Sequence, residues 1–234
     1  MGFWPTVDHW SVQIPLHTDH YRMPVLESTG VVELTPMPHD VAPSEWESLE
    51  YMDWKSGGDT NFAPLASADG ELDCRGFWDK GKTDKDALWT SNAAVAPTLQ
   101  RYVDSVGANF GRVRIIKLEP QDREQAMKSI HRDDNNRFNP DGEGWVVRSW
   151  VELTDNPDSY MLLMDNGPDG LPDESTERRI PLRKGARFVV DTQRLWHVVV
   201  HNGASARYAL ITSFESGPAL ADWIDANRVP VAAA

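Results

Sequence analysis

The chain has 234 residues, 40% of them hydrophobic, and a formal net charge of −13. Lys and Arg total 23 against 36 Asp and Glu, which argues against binding the phosphate backbone of nucleic acid or an anionic membrane surface. The single cysteine, Cys74, excludes an intrachain disulfide and a multi-cysteine metal site, so histidine and carboxylate are the available metal ligands. One cysteine and a start without a signal-peptide pattern predict a cytoplasmic protein.

The first 95 residues contain scattered Pro, Gly, Asp and Trp and only short strand-like pieces, such as Gly30–Leu34. Six of the ten tryptophans fall in this part, which predicts a folded segment wrapped around a core and not a disordered tail. A helix is predicted over Pro97–Val106, because apolar residues recur there at helical spacing and Gly107 follows.

Beyond this helix the apolar pattern alternates every second residue, which is typical of strands. Strands are predicted at Arg112–Leu118, Val146–Leu153, Tyr160–Met164, Arg178–Leu182, Arg187–Val190, Trp196–His201 and Arg207–Phe214, with a closing helix at Pro218–Asn227. Many short strands with turn residues between them predict an antiparallel barrel or sandwich, and we expect a jelly roll.

The expected architecture is therefore mainly β (α+β) in a single domain. Its centre is a double-stranded β-helix (jelly roll, cupin-like) with flanking helices and an N-terminal extension. Residues 1–95 are the wrapping segment, residues 98–216 the jelly-roll core, and residues 217–234 the closing helix and tail.

A metal site is indicated by His131-Arg132-Asp133. In a strand, residues i and i+2 share a face, so this imidazole and this carboxylate can bind one ion. They supply two thirds of a two-histidine, one-carboxylate triad, the set that holds iron(II) with positions left open. A third ligand should come from a later strand, and His197 is the candidate. A second copy of the pattern, His17-Thr18-Asp19, is interpreted as structural or as a surface loop.

Other readings of these residues remain open at this point. His131 and Asp133 also suit a solvated polar loop, and His197 a hydrogen-bonded core position. His201 shares a face with His197 and is the rival distal ligand, although its short distance in sequence to Arg207 favours His197. His201 can instead line the substrate pocket. Trp150 belongs either to the core or to that pocket.

Arg207 follows His197 by ten residues on the next predicted strand. An arginine there can bind a carboxylate through a two-point contact near the metal, or pair with a protein carboxylate. A three-residue loop over residues 202–204 would pair Val199 with Arg207 and place Arg207 on the same inner face as His197. We therefore expect such a hairpin, or one with another odd loop length.

The ordered set His131, Asp133, His197 and Arg207 resembles the iron(II)/2-oxoglutarate-dependent dioxygenases. The resemblance covers residues 98–216 and points to the aspartyl/asparaginyl β-hydroxylase and cis-proline hydroxylase group, on the strand GRVRIIKLEP and the pattern His197, Asn202, Arg207. It implies that His131, Asp133 and His197 are the catalytic iron ligands. It also implies that Arg207, with Arg148 as a second contact, binds the co-substrate 2-oxoglutarate.

The resemblance implies an oxygenase that uses Fe(II), 2-oxoglutarate and O2 to hydroxylate an unactivated C–H bond. The implied substrate is an amino acid, free or within a peptide, or a related small molecule. Two alternatives stand beside it. One is a cupin-like metalloenzyme that performs isomerisation or hydrolysis with zinc or manganese, and the other is a non-catalytic ligand-binding barrel.

Overall fold

The computed structural model describes residues 23–53, 60–73, 75–139 and 144–229. The second His-x-Asp pattern, His17-Thr18-Asp19, and the lone Cys74 lie outside these residues. Within them, no helix has both the length and the apolar character needed to span a bilayer.

Two antiparallel sheets build the molecule. The main sheet has the order β1-β9-β6-β11-β5-β3-β2, with β4 paired to β3, and the minor sheet has the order β10-β7-β8. The strands are β1 (Val31–Leu34), β2 (Met52–Asp53), β3 (Thr60–Ser67), β4 (Leu88–Trp89), β5 (Phe110–Leu118), β6 (Val146–Glu152), β7 (Tyr160–Asn166), β8 (Pro172–Pro181), β9 (Arg187–Val190), β10 (Trp196–Val200) and β11 (Arg207–Glu215).

The path of the chain through the two sheets is that of a jelly roll. From β5 in the main sheet the chain passes to the edge of the minor sheet at His131, which bridges His197 of β10. It then runs through β6 (main), β7 and β8 (minor), β9 (main), β10 (minor) and β11 (main). This alternation is the double-stranded β-helix predicted from the strand pattern.

A core between the sheets joins them face to face. Trp150, Phe188 and Ile211 of the main sheet pack in one cluster with Met161 and Val199 of the minor sheet. These residues alternate along their strands with residues of the opposite face, as half-buried strands require. The side chains on this inner face are the ones that can form a site inside the barrel.

The outer faces are covered by helices. The helices are α1 (Pro24–Glu27), α2 (Pro97–Asp104), α3 (Arg123–Met127) and α4 (Pro218–Asn227). Leu99 of α2 and Ile224 of α4 pack on the outer face of the main sheet, and Ala126 of α3 packs on the outer face of the minor sheet.

The N-terminal segment adds strands to both sides of the main sheet. Strand β1 pairs with β9, and β3 pairs with β5. Trp46 from this segment is buried at 3% exposure within the outer core. The segment is thus a folded, core-contributing part of the structure wherever it is described.

The predicted hairpin between residues 196–201 and 207–214 is wrong. Strand β10 pairs with β7, where Val198 lies opposite Leu162, whereas Arg207 of β11 lies opposite Leu118 of β5. The turn after His201 carries the chain from the minor to the main sheet. Both strands find their partners among strands distant in sequence, which loop length alone does not reveal.

Candidate metal centre

The structure brings His131, Asp133 and His197 together at one edge of the minor sheet. The His197 N–H donates to the carbonyl of His131 at 2.9 Å, and the His131 N–H donates back at 3.3 Å. The Asp133 N–H donates to the carbonyl of Thr192 at 2.8 Å. The expectation that His131 and Asp133 share one regular strand is wrong, because His131 forms an isolated bridge and Asp133 lies in irregular chain.

The three side chains nevertheless converge on one point. One ligand atom from each of them lies within 4.8 Å of the others. Nε2 of His131 is 3.7 Å from Oδ1 of Asp133, and the two imidazole rings are 4.4 Å apart at their centroids. The His131 side chain is 57% exposed while His197 is 6% exposed, so the centre opens to solvent on the His131 side.

Both histidines use Nδ1 in the same way. Nδ1 of His131 lies 2.9 Å from the carbonyl of Ser129, and Nδ1 of His197 lies 3.3 Å from the carbonyl of Leu195. Since a carbonyl only accepts, each Nδ1 is assigned the proton, which leaves the lone pair of Nε2 for a metal. A backbone carbonyl on the second ring nitrogen is how metal-binding histidines are commonly oriented.

The protonation states also suit a metal. Burial, followed by the nearby His131, lowers the pKa of His197 to about 4. Burial by itself raises the pKa of Asp133, but Arg148, His197 and His131 together hold it well below its usual range. Near neutral pH the site therefore presents a neutral His197 and an ionised Asp133, the forms that bind cations.

Arg148 holds the far oxygen of Asp133. Its Nε donates to Oδ2 of Asp133 at 2.8 Å, its Nη1 to Ser213 at 2.9 Å and its Nη2 to Asn135 at 2.5 Å. The Arg148 side chain is 2% exposed. With each guanidinium nitrogen bound to a protein acceptor, Arg148 is placed to orient Asp133 and not to reach a co-substrate.

A second buried carboxylate, Asp84, supports Arg148 from the N-terminal segment. Oδ2 of Asp84 lies 3.6 Å from Nη2 of Arg148 and accepts from Ser213 at 2.9 Å. Its Oδ1 accepts the backbone N–H of Arg112 at 2.6 Å. Asp84 thus balances the charge of Arg148 behind the ligand carboxylate.

Arg207 lies on the inner face, as predicted, with its side chain fully buried. Its partner there is Glu152 of β6, which accepts from Nε at 2.8 Å and from Nη2 in a second, short contact. Nη1 of Arg207 has no hydrogen-bond partner among the described residues. This buried donor is the feature of the barrel interior that fits an additional anionic group.

His201 and Trp150 occupy structural positions. His201 is fully buried, with Nδ1 2.8 Å from the hydroxyl of Ser159 and Nε2 2.7 Å from the carbonyl of Ser205. It is therefore not placed as the distal ligand, the alternative that the sequence had disfavoured. With both ring nitrogens bound to protein atoms it does not line a pocket either, which corrects that expectation. Trp150 stacks on Phe188 at 5.5 Å and meets the edge of His197 at 6.2 Å, so it packs beside the centre.

Sequence reasoning missed Asp84 and Glu152. Glu152 could have been recognised from the sequence, because Arg148, Trp150 and Glu152 occupy every second position of one strand and so share its inner face. Asp84 could not, since its approach to Arg148 depends on a loop packed against a distant strand.

Comparisons with known proteins find similar structures but no similar sequences. No protein-family model and no curated protein matches the chain. An oxidoreductase of the 2OG-Fe(II) oxygenase family from Burkholderia pseudomallei is 14% identical, covering 83% of this chain and 89% of its own, with a TM-score of 0.49.

Two further solved structures are similar at this level. A prolyl hydroxylase from Trichoplax adhaerens, in complex with a peptide fragment of hypoxia inducible factor, is 12% identical over 92% of this chain and 97% of its own, with a TM-score of 0.49. HygX from Streptomyces hygroscopicus, with nickel and 2-oxoglutarate bound, is 12% identical over 82% and 84%, with a TM-score of 0.45. At these identities, the chemistry of this chain has to be judged from its own side chains.

Proposed function

We propose that this protein is an Fe(II)- and 2-oxoglutarate-dependent oxygenase that hydroxylates an unactivated C–H bond. The observation that carries the proposal is the convergence of one ligand atom each from His131, Asp133 and His197 at an open edge of a jelly roll, with Nε2 of His131 3.7 Å from Oδ1 of Asp133. Two imidazoles and one carboxylate are the donor set of non-haem iron oxygenases, and they leave coordination positions for co-substrate and oxygen.

The cofactors are Fe(II) and the co-substrate 2-oxoglutarate. When bound, they supply the oxidation of the C–H bond by O2, with conversion of 2-oxoglutarate to succinate and carbon dioxide. His131, Asp133 and His197 hold the ion. Arg148 keeps Oδ2 of Asp133 engaged at 2.8 Å, which leaves Oδ1, on the side of His131, as the oxygen that would bind the ion. Hydroxylation, and not halogenation, is favoured because the carboxylate ligand occupies the place that a halide would need.

Arg207 is the proposed anchor for the far carboxylate of 2-oxoglutarate. Its side chain is buried on the inner face of the barrel, and Nη1 offers donors that no described residue uses. A buried guanidinium binds a carboxylate through charge-assisted hydrogen bonds, which are stronger than those between neutral groups. The structure gives Arg148 no comparable spare nitrogen, so we assign the anchor to Arg207 alone.

The proposed substrate is an amino acid, free or within a peptide, or a related small molecule. This class follows from the resemblance of the ligand set and strand pattern to the aspartyl/asparaginyl and cis-proline hydroxylases. The net charge of −13 favours a cationic or zwitterionic substrate. The exposed side of His131 is the face at which such a molecule would approach.

Succinate formation tests the proposal. Purified protein with Fe(II), 2-oxoglutarate and O2 is expected to form succinate. A panel of amino acids and peptides is then added one compound at a time, and the rate of succinate formation should rise with the substrate. Asp133→Ala should reduce this rate to background, because the carboxylate ligand is gone. Asp134→Ala is the matched control, since Asp134 pairs with Arg137 at the surface and should leave the rate unchanged.

The alternatives give different outcomes in the same assay. Metal binding without succinate would favour a cupin-like isomerase or hydrolase, and absence of metal binding would favour a ligand-binding barrel. Full activity of Asp133→Ala would show that the ligand set is misassigned.

A further inference from the structure

The proposed anchor for the co-substrate already has a carboxylate on it. Glu152 binds Arg207 at two nitrogens, Nε and Nη2, and both side chains are fully buried. Nη1 is the one Arg207 nitrogen to which no described residue is hydrogen-bonded. An incoming carboxylate would thus meet a guanidinium whose Nε and Nη2 already donate to Glu152.

Among the described residues, the other charged or titratable groups on this side of the main sheet, apart from those around the candidate metal centre, are His201, Glu119 and Arg114. Arg114 lies farther along the inner face of β5, opposite Ile211, with its guanidinium over the ring of Phe62. His201 follows directly after β10 and interacts with the charge of Arg207, and Glu119 lies just beyond the end of β5 and acts on His201. Arg187 of β9 turns to the opposite face of the sheet, where it contacts Thr35 and Asn227. The minor-sheet residues packed over the inner face, Met161, Leu163 and Val199, are apolar.

We propose that Glu152 competes with 2-oxoglutarate for Arg207, so that binding of the co-substrate is weakened by ionised Glu152 and takes up one proton. This inference rests on the function proposed above. Two carboxylates on one buried guanidinium leave an uncompensated negative charge, and burying such a charge is costly. The cost is removed when a solvent proton binds to a carboxylate oxygen of Glu152.

The buried position of Glu152 is consistent with this step. Burial raises the pKa of Glu152 above its usual value, although Arg207 opposes the shift. Once protonated, the Glu152 carboxyl is neutral and can release the Arg207 guanidinium while its side chain stays buried in the barrel. Glu152 is therefore a specificity-determining residue, which sets how strongly and at what pH the pocket accepts a dianion.

Calorimetric titration of 2-oxoglutarate tests the inference. The protein is loaded with Mn²⁺ beforehand, so that proton release from the metal ligands is complete, and the titration is repeated in buffers of different ionisation enthalpy between pH 6.5 and 8.5. For the unmodified protein we expect uptake of up to about one proton and a Kd that rises with pH. Glu152→Gln should bind about tenfold more tightly at pH 8, without the proton uptake.

A matched control and a folding check complete the design. Glu177→Gln removes a carboxylate that pairs with Arg123 and Arg179 outside the barrel, and it should behave like the unmodified protein. Gln can still accept a hydrogen bond from Arg207, and thermal unfolding verifies that the Glu152 variant is folded.

The outcomes separate this inference from the proposed function. If Glu152→Gln binds 2-oxoglutarate no more tightly, or keeps the proton uptake, Glu152 only positions Arg207 and the competition is overturned. If the metal-loaded unmodified protein and Glu152→Gln both fail to bind 2-oxoglutarate, the proposed function fails and this inference fails with it.

Discussion

Single hydrogen bonds decide which atom of each candidate ligand faces the candidate metal centre. The carbonyls of Ser129 and Leu195 accept from Nδ1 of His131 and of His197, respectively. Arg148 donates to Oδ2 of Asp133. Each ligand is therefore left with one atom directed at the common point. The site is oriented before any ion binds, which lowers the entropy cost of coordination.

Arg148→Lys tests this orientation at the residue scale. Lysine keeps the positive charge but cannot bind Asp133, Ser213 and Asn135 at once, so Asp133 loses its fixed orientation. We expect metal affinity to fall about 10- to 100-fold. Calorimetric titration with Mn²⁺ measures it.

The matched control is Arg137→Lys, which changes an arginine that pairs with Asp134 at the surface. Unchanged Mn²⁺ affinity in Arg148→Lys would mean that Arg148 contributes to the packing of the core but does not orient Asp133 for metal binding.

The sequence indicated the three side chains that converge, but not the residues that support them. His131, Asp133 and His197 could be singled out by donor type and by the His-x-Asp spacing, which are readable without the fold. Asp84 and Glu152 could not be assigned roles, because their contacts with Arg148 and Arg207 depend on the packing of distant segments. The partner of Arg207 is likewise a long-range property, set by the pairing of β6 with β11.

At the scale of elements, the strand pattern predicted most of the jelly roll. The closing helix Pro218–Asn227 and the strand Arg187–Val190 have the predicted bounds. The prediction missed the first half of strand β8, which begins at Pro172 and not at Arg178. Ile180 is the only fully buried residue of this strand, so its sequence has no alternating apolar pattern. Strand β3 was missed, since most of its residues are buried and its sequence TNFAPLAS includes a proline.

Strand β5 carries a glycine that lets the Asp84 loop pack closely against the strand, beside Arg148. A Cβ added at Gly111 would lie 2.1 Å from the backbone oxygen of Asp84 and 2.2 Å from its Oδ1. The loop around Asp84 therefore approaches the strand as closely as backbone permits. This approach places Asp84 beside Arg148.

Gly111→Ser should destabilise the protein by about 1–3 kcal/mol, because the side chain displaces the Asp84 loop. Urea unfolding measures the free energy, and Mn²⁺ affinity should fall as well. Gly217→Ser is the control, since its backbone is extended and nothing lies within 4 Å of an added Cβ. Equal stabilities of the two variants would contradict this packing.

At the scale of the whole molecule, the N-terminal segment is tied to the loop that supports the ligands. The Asp191 N–H donates to the carbonyl of Gly30 at 2.8 Å, and the neighbouring Thr192 accepts the N–H of Asp133. Oδ1 of Asp191 accepts the N–H groups of Gln193 and Arg194, whereas Oδ2 has no hydrogen-bond partner among the described residues. A buried carboxylate of this kind makes stability depend on pH.

Burial raises the pKa of Asp191 to about 7, against the hydrogen bonds from Arg194 and Gln193. The pKa of Asp191 is higher in the folded than in the unfolded protein. Its contribution to the free energy of unfolding is therefore fully present below pH 3.8 and is lost as the pH rises through about 7. Asp191→Asn removes the titration. Relative to the unmodified protein, the variant should gain about 2–3 kcal/mol between pH 5 and pH 8.

Urea unfolding at the two pH values measures this gain. Asp104→Asn, which alters an exposed residue of α2, is the control. A constant difference between Asp191→Asn and the unmodified protein would show that Asp191 does not titrate as inferred.

The most direct test of the central claim is the absorption spectrum of the protein with Fe(II) and 2-oxoglutarate under anaerobic conditions. We expect the weak visible charge-transfer band of 2-oxoglutarate chelated to Fe(II). The band should be lost in His197→Ala and kept in His39→Ala, which removes an exposed histidine. A protein without this band, or a His197→Ala variant that retains it, would contradict the assignment of His131, Asp133 and His197 as an iron site for 2-oxoglutarate.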